Sequence, residues 1–79
     1  MERSEVLEKV QEVFCDLLGN DDIVLTEATS AQDVDEWTSL AQAQILTAIE
    51  NKLGMRFSLK DIMSVKTVGD IVNAIMAKL

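Results

Sequence analysis

The segment Asp33-Val34-Asp35-Glu36-Trp37-Thr38-Ser39-Leu40 marks the point where an acidic loop gives way to a long helical pattern. After it, apolar residues recur at helical spacing, in the order Ile45, Leu46, Ile49 and Leu53. The hydroxyl of Ser39 is therefore predicted to lie at a helix N-terminus. Free backbone N–H groups and the positive end of the helix dipole favour an attached phosphate there.

The chain lacks the residues that would make Ser39 a catalytic nucleophile. It contains no histidine to act as general base. Its single cysteine, Cys15, falls on the polar side of a predicted helix as a partly exposed bystander. The acidic residues at 21–22 and 33–36 are not spaced as a calcium loop. We therefore expect neither an enzyme nor a metal site, and Ser39 is better suited to carrying an attached group.

Two hydroxyls compete to cap the helix that begins here. Either Thr38 or Ser39 fits the N-cap position, and Ser39-Leu40-Ala41-Gln42 has the form of a capping box. Gln42 is a polar residue within the predicted buried stripe. It could bond a neighbouring backbone group or line the mouth of a cavity.

Leu40 is predicted to lie on the side of the helix opposite the buried stripe. It is therefore expected to be exposed beside the serine. Ala43, Gln44 and Thr47 are small or uncharged and share this region. Together they indicate a docking surface for a partner.

On the N-terminal side, helical periodicity predicts a first helix over residues 4–18, which Gly19 ends. Its apolar positions are Val6, Leu7, Val10, Val13, Phe14, Leu17 and Leu18. A loop of about twenty residues follows, a length that is usually functional or anchored by its own side chains. The expected anchors are Ile23, Val24, Leu25, Val34 and Trp37.

On the C-terminal side, Gly54 is predicted to end the second helix, and Phe57 is expected to insert into the core. A short third helix over residues 58–64 is expected to turn Leu59, Ile62 and Met63 inward. A capping box at residues 67–70 opens a fourth helix, with apolar positions Val68, Ile71, Val72, Ile75 and Leu79. We predict an all-α, monomeric four-helix bundle that forms one domain over residues 1–79.

Charge and hydropathy limit the classes of partner. The net charge is −7, which argues against nucleic acid and anionic membranes. The longest apolar runs are too short for a membrane span, and the polar, acidic start is unlike a secretory signal. The cytoplasm is the expected compartment.

The acidic residues are concentrated before Ser39. Residues 1–36 hold eleven acids and two bases, whereas residues 37–79 hold three acids and five bases. A solvated surface explains the acids of the first helix. It explains Asp33, Asp35 and Glu36 less well, because they adjoin the serine, and these three acids are expected to face basic partners.

Taken together, these residues resemble the acyl carrier protein family of phosphopantetheine-binding domains. The specific part is Trp37-Thr38-Ser39-Leu40 at the start of an amphipathic helix, similar to the family's Asp-Ser-Leu attachment motif. The long loop before it, the short helix at residues 58–64 and Lys66-Thr67-Val68-Gly69-Asp70 support the resemblance over essentially the whole chain.

The resemblance implies that Ser39 is esterified with the 4′-phosphopantetheine arm of coenzyme A by a phosphopantetheinyl transferase. The arm would carry acyl groups as thioesters, loaded by a ligase or acyltransferase and used by a ketosynthase or another acyl-processing enzyme. Part of the cargo would be sheltered between the second and third helices, with Gln42, Leu46 and Ile62 as lining residues. The partner-recognition residues would be Asp33, Asp35, Glu36, Trp37, Thr38, Leu40, Ala43, Thr47 and Glu50.

Two positions depart from the family pattern. Thr38 stands where the family usually has aspartate, which keeps a helix cap but removes a carboxylate. The second and third helices also carry few acids, with Glu50 the main one on the second. The scarcity of acids on these two helices favours a specialised carrier, for a polyketide, lipid-modifying, aminoacyl or similar pathway, over a housekeeping fatty-acid carrier. The alternative is an unmodified, carrier-like helical adaptor that binds partners.

Overall fold

The computed structural model describes all of residues 1–79 and contains four α-helices. They are α1 (Arg3–Leu18), α2 (Ser39–Leu53), α3 (Leu59–Ser64) and α4 (Val68–Lys78). The only strand-like pairing is an isolated bridge between Ser30 and Thr67. The predicted all-α fold, with a long loop before α2 and a short α3, is confirmed. None of the four helices combines the length and apolar character that crossing a membrane requires.

Local sequence signals set the helix ends. Gly19 and Gly54 have φ values of 64° and 65°, the left-handed conformation in which glycine avoids the steric cost of a side chain. Glu2, Ser58 and Thr67 each form a capping box with the residue three positions later. The predicted starts of the third and fourth helices are therefore confirmed.

The core forms where α1 packs against both α2 and α4. Its largest fully buried side chains are Phe14, Ile45, Ile49, Ile71, Ile75, Val6, Val10, Val68 and Val72. Two of the apolar positions in the helical pattern lie outside the core, because Leu17 is 43% and Leu79 55% exposed. Leu17 lies in the last turn of α1 and Leu79 follows α4, and at helix ends a correct helical phase alone does not bury a side chain.

The loop over residues 20–38 is anchored largely as predicted. Ile23, Leu25, Val34 and Trp37 are buried, but Val24 is 80% exposed, so its prediction is wrong. The side chain of Gln11 explains the difference. It donates to the carbonyl of Ile23 and accepts from the N–H of Leu25 at 2.7 Å. Residues 23 and 25 are thereby held towards α1, and the side chain of Val24 between them lies in solvent.

The same loop packs against the start of α4. The N–H groups of Val68 and Gly69 donate to the carbonyls of Thr29 and Glu27 at 2.8 and 2.9 Å. The loop therefore satisfies donors that a helix N-terminus leaves unpaired. The Glu27 carboxylate also pairs with Arg3 at the start of α1, and this hydrogen bond lowers the pKa of Glu27. The loop thus joins α1 to α4.

Helix α3 differs from its prediction. Leu59, Ile62 and Met63 are 72%, 39% and 75% exposed, and no residue of α3 is buried. In this segment Phe57, before the helix, and Val65, after it, are the residues that enter the core. The six-residue helix lies between these two anchors, so its own apolar side chains remain on the surface.

Candidate functional site

Thr38, and not Ser39, is the N-cap of α2. Its Oγ1 accepts a hydrogen bond from the N–H of Ala41 at 3.2 Å. Ser39 is the first helical residue and is exposed. Of the two candidate hydroxyls, only that of Thr38 therefore caps the helix. Ser39 keeps its hydroxyl on the surface at the N-terminus of a helix that Thr38 has already capped.

Trp37 anchors the chain immediately before α2. The residue is 4% exposed, and its ring packs edge-to-face on Phe14 of α1, with ring centroids 4.9 Å apart. Its backbone N–H donates to the carbonyl of Val34 at 3.0 Å. The two residues before Ser39 are thus a buried anchor and a helix cap.

Gln42 makes a side-chain contact that was not predicted for it. Its Oε1 accepts from the indole Nε1 of Trp37 at 3.2 Å. The interpretation of Ser39 and Gln42 as a capping box is wrong, because Thr38 is the cap and Gln42 is one residue too far along the helix to complete its box. The side chain turns instead to the indole, whose N–H needs an acceptor once it is buried.

The surface beside Ser39 is mainly uncharged. Leu40 is 71% exposed, so its predicted exposure is confirmed. Further along α2, a concavity of about 370 Å³ is lined by Ala43, Gln44, Thr47, Ala48 and Asn51. The helix therefore presents one large apolar side chain and a shallow, neutral depression on its outer side.

The three loop acids have different surroundings. Asp33 accepts from the N–H of Ser30 at 2.9 Å and helps to form a turn. Glu36 accepts from the side-chain amide of Asn20 at 2.9 Å, a hydrogen bond that lowers the pKa of this carboxyl. All three acids line an open groove of about 460 Å³ beside the loop. Their carboxylates form one negative surface close in sequence to Ser39.

Glu50 is tied to the fold. It is half-buried, and its Oε2 accepts from the N–H of Phe57 at 2.8 Å, closing the link from α2 to α3. Sequence reasoning missed this contact, because the partner of Glu50 is a backbone N–H group seven residues further along the chain. Its predicted role in partner recognition stays a prediction.

The three predicted cargo-lining residues do not share a concavity. Leu46 is 3% exposed, Gln42 is half-buried against Trp37, and Ile62 is 39% exposed. None of them lines any of the three concavities of the surface. A preformed cargo cavity is therefore not present at these positions, and their role stays a prediction.

The start of α2 suits an attached phosphate better than a metal ion. No group of three or more His, Cys, Asp or Glu residues is placed to hold a metal. The N–H groups of Ser39 and Leu40 precede the first backbone hydrogen bond of the helix, which runs from Gln42 to Thr38 at 2.8 Å. They are available as donors to a phosphate on the Ser39 hydroxyl.

Comparison with known families gives one match that covers most of the chain. Residues 8–75 match a family model described as a phosphopantetheine attachment site. An acyl carrier protein of Thermosynechococcus vestitus is 33% identical, over 99% of this chain and 96% of the relative. One of Petrotoga mobilis is 32% identical, over 100% of this chain and 93% of the relative.

Solved structures agree with the sequence comparisons. The solution structure of a holo acyl carrier protein from Geobacter metallireducens superimposes with a TM-score of 0.86 at 32% identity, over 92% of this chain and 84% of that one. A putative acyl carrier protein from Mycobacterium tuberculosis superimposes with a TM-score of 0.81 at 24% identity, over 91% of this chain and 96% of that one. The second likeness supports the fold alone.

Proposed function

Because the chain belongs to the family of phosphopantetheine-binding acyl carrier proteins, we propose that Ser39 is its attachment site. The protein carries acyl groups as thioesters on a 4′-phosphopantetheine arm. The observation that supports Ser39 most directly is its place as the exposed first residue of α2, with the cap supplied by Thr38. No other serine combines an exposed hydroxyl, the start of a long helix and a neighbouring exposed leucine.

The attachment reaction requires one hydroxyl from this chain. The Ser39 Oγ–H loses its proton to a base of the transferase, and Oγ bonds to the phosphorus that carries the pantetheine arm in coenzyme A. The P–O bond to adenosine 3′,5′-bisphosphate breaks, and that group leaves with the electron pair. The N–H groups of Ser39 and Leu40, at the N-terminus of α2, would stabilise the negative charge of the phosphodiester.

The chain acts as a substrate for its partners and supplies no catalytic group. The partners are a phosphopantetheinyl transferase, an acyl-loading ligase or acyltransferase, and a ketosynthase or another acyl-processing enzyme. Leu40, Ala43 and Thr47 form the uncharged part of the recognition surface, and Asp33, Asp35 and Glu36 attract basic partner patches. We place this function in a monomeric single domain over residues 1–79 in the cytoplasm.

The neutral outer face of α2 favours a specialised biosynthetic pathway. Glu50 is the only acid within α2, and its carboxylate is bonded to the backbone of Phe57. The face that a partner meets beside the arm is therefore mostly uncharged. Cargo shelter near Gln42, Leu46 and Ile62 would require movement of α3, because no cavity is preformed there.

Mass measurement tests the attachment site. The purified chain is incubated with coenzyme A and a promiscuous phosphopantetheinyl transferase, and its intact mass is followed. The wild type and a Ser4→Ala control are expected to gain one arm, and Ser39→Ala none. A mass gain in Ser39→Ala would refute the site. An unchanged wild type would favour the unmodified adaptor.

A further inference from the structure

The hydrogen bond between Trp37 and Gln42 spans the proposed attachment site. Trp37 lies two residues before Ser39, outside the helix, and Gln42 lies three residues after it, within the first turns of α2. Trp37 Nε1 donates to Gln42 Oε1 at 3.2 Å. Ser39 is thus held in a short segment whose two sides are joined by one side-chain contact.

Trp37 is a fixed reference point for this segment. Its ring is packed edge-to-face on Phe14, a fully buried residue of α1. The indole N–H is the ring's one polar atom, and leaving it unpaired in a buried site would cost free energy. Gln42 is therefore drawn to one position on the indole, and the first turn of α2 is drawn with it.

The backbone transmits this constraint to Ser39. The N–H of Gln42 donates to the carbonyl of Thr38 at 2.8 Å, and the N–H of Ala41 donates to the Thr38 hydroxyl at 3.2 Å. These bonds close the turn that contains Ser39. A shift of Gln42 relative to Trp37 would rotate this turn and redirect the Ser39 hydroxyl.

We infer that Gln42 is a positioning residue for the modification of Ser39, acting through its hydrogen bond to Trp37. The inference rests on Ser39 being the attachment site. A phosphoryl-transfer reaction depends on the line of approach of the attacking oxygen, and small misplacements slow it strongly. Gln42 would therefore affect the turnover step more than the binding of the carrier to its transferase.

Kinetics of transfer at saturating coenzyme A test this role, with the carrier concentration varied so that kcat and KM are separated. Gln42→Leu removes the acceptor at similar size and is expected to lower kcat about fivefold to tenfold, the factor of one ordinary hydrogen bond, with KM changed less than about twofold. Gln42→Glu keeps an acceptor oxygen and should restore kcat to within about twofold of wild type. Asn73→Leu, an exposed amide on α4, is the matched control.

Trp37→Phe provides the reciprocal test, because it removes the donor and keeps an aromatic ring on Phe14. It is expected to lower kcat as Gln42→Leu does, and the double variant should be no slower than the slower single variant. The chain has one tryptophan, so a single indole N–H signal in a magnetic resonance spectrum reports the bond. That signal should shift in Gln42→Leu and return towards its wild-type position in Gln42→Glu.

Each outcome decides between the hypotheses. Thermal unfolding first establishes that the variants are folded at the assay temperature. If Gln42→Leu is unfolded there, the kcat values of Trp37→Phe and Gln42→Glu test the positioning role instead. A fully modified wild type with an unchanged kcat in Trp37→Phe or Gln42→Leu would overturn the positioning role alone, as would a Gln42→Glu variant as slow as Gln42→Leu. A wild type that gains no mass would overturn the attachment site, and the positioning role with it.

Discussion

Under the proposed function, Thr38 and Ser39 divide between them two tasks that one hydroxyl could not perform together. A cap hydroxyl must point back into the helix to accept from its backbone, whereas an attachment hydroxyl must point out to meet coenzyme A. The Thr38 Oγ1 accepts from Ala41, and Ser39 stays exposed. Removing the Ser39 hydroxyl therefore leaves the cap, which contributes about 1 kcal/mol in proteins, in place.

Leu40→Ala is expected to weaken recognition with little change in stability. The side chain is 71% exposed, so truncation should change the free energy of unfolding by no more than about 0.5 kcal/mol. An exposed leucine next to the proposed attachment site would be covered when a transferase binds. We therefore expect a higher KM for the carrier, measured in the transfer assay.

Ile45→Ala is the contrasting variant for Leu40. Ile45 is fully buried on the opposite side of the same helix, and its truncation should cost about 2–5 kcal/mol. Denaturant unfolding of both variants makes the comparison. A loss for Leu40→Ala in the Ile45 range would show that Leu40 is packed in solution.

Gly69→Ala is expected to destabilise the protein although alanine favours helices. A Cβ at this position would lie 2.9 Å from the Glu27 carbonyl oxygen, a backbone atom of the docked loop. Overpacking of this kind costs about 1–3 kcal/mol, against a gain in helix propensity of about 1 kcal/mol at most. Denaturant unfolding should show a net loss. Asn73→Ala, exposed on the same helix, should be neutral or slightly stabilising, and equal behaviour of the two variants would contradict the close approach.

At the scale of elements, the loop between α1 and α2 is held by polar contacts as much as by its apolar anchors. Gln11 of α1 bonds the loop backbone on both sides of Val24, and the start of α4 donates to Glu27 and Thr29. The position of Ser39 at the end of this loop is therefore set by α1 and α4 as well as by its own helix.

Gln11→Ala is expected to destabilise the protein by about 1–3 kcal/mol, because the Leu25 N–H loses its acceptor in a partly buried setting. The measurement is denaturant unfolding, together with hydrogen exchange of the Leu25 amide, which should become faster. Glu8→Ala, exposed on the same helix, is the matched control and should change stability little. Unaltered exchange at Leu25 would show that the loop is held without Gln11.

Features that are set by local sequence could be predicted, whereas contacts between residues distant in sequence could not. Helices α1, α2 and α4 could be predicted because many apolar positions repeat in each, and Ser39 and Leu40 could be placed because a helix start is set locally. The hydrogen bonds of Gln11 could not be predicted, because its partners are loop backbone atoms that are distant in sequence. The inward face of α3 failed because three apolar residues in a six-residue helix do not define which side is buried.

At the scale of the whole molecule, an acidic surface lies next to a nearly uncharged one. The acids gathered before residue 37 form a negative field, whereas the outer face of α2 beside Ser39 is nearly neutral. Long-range attraction acts mainly on the rate of encounter, and short-range apolar contact on the lifetime of a complex. Under the proposed function, the molecule therefore has separate surfaces for attracting a partner and for holding it.

Neutralising Asp35 and Glu36, as Asp35→Asn with Glu36→Gln, should lower kcat/KM for the transferase severalfold at low ionic strength. Both substitutions keep an oxygen acceptor, so the Asn20 contact of Glu36 can persist. The difference from wild type should shrink as salt is raised, because screening shortens the reach of the charges to about 3 Å at 1 M. Initial transfer rates measured against salt give the result.

A matched pair of substitutions on α1 distinguishes the effect of the loop charges from the effect of the total charge. Glu8→Gln with Asp16→Asn removes the same two charges at exposed positions of α1. These substitutions should slow transfer less than the loop pair. Equal slowing by both pairs would show that net charge, and not the loop cluster, governs the encounter.

The exposed helix α3 has a consequence for how the protein opens. It buries no residue of its own, and the ion pair of Lys78 with Asp61, 3.1 Å long, is a side-chain link from it to α4. Its local unfolding should require much less free energy than unfolding of the bundle formed by α1, α2 and α4. We therefore expect α3 to detach from the bundle and repack many times for each global unfolding of α1, α2 and α4.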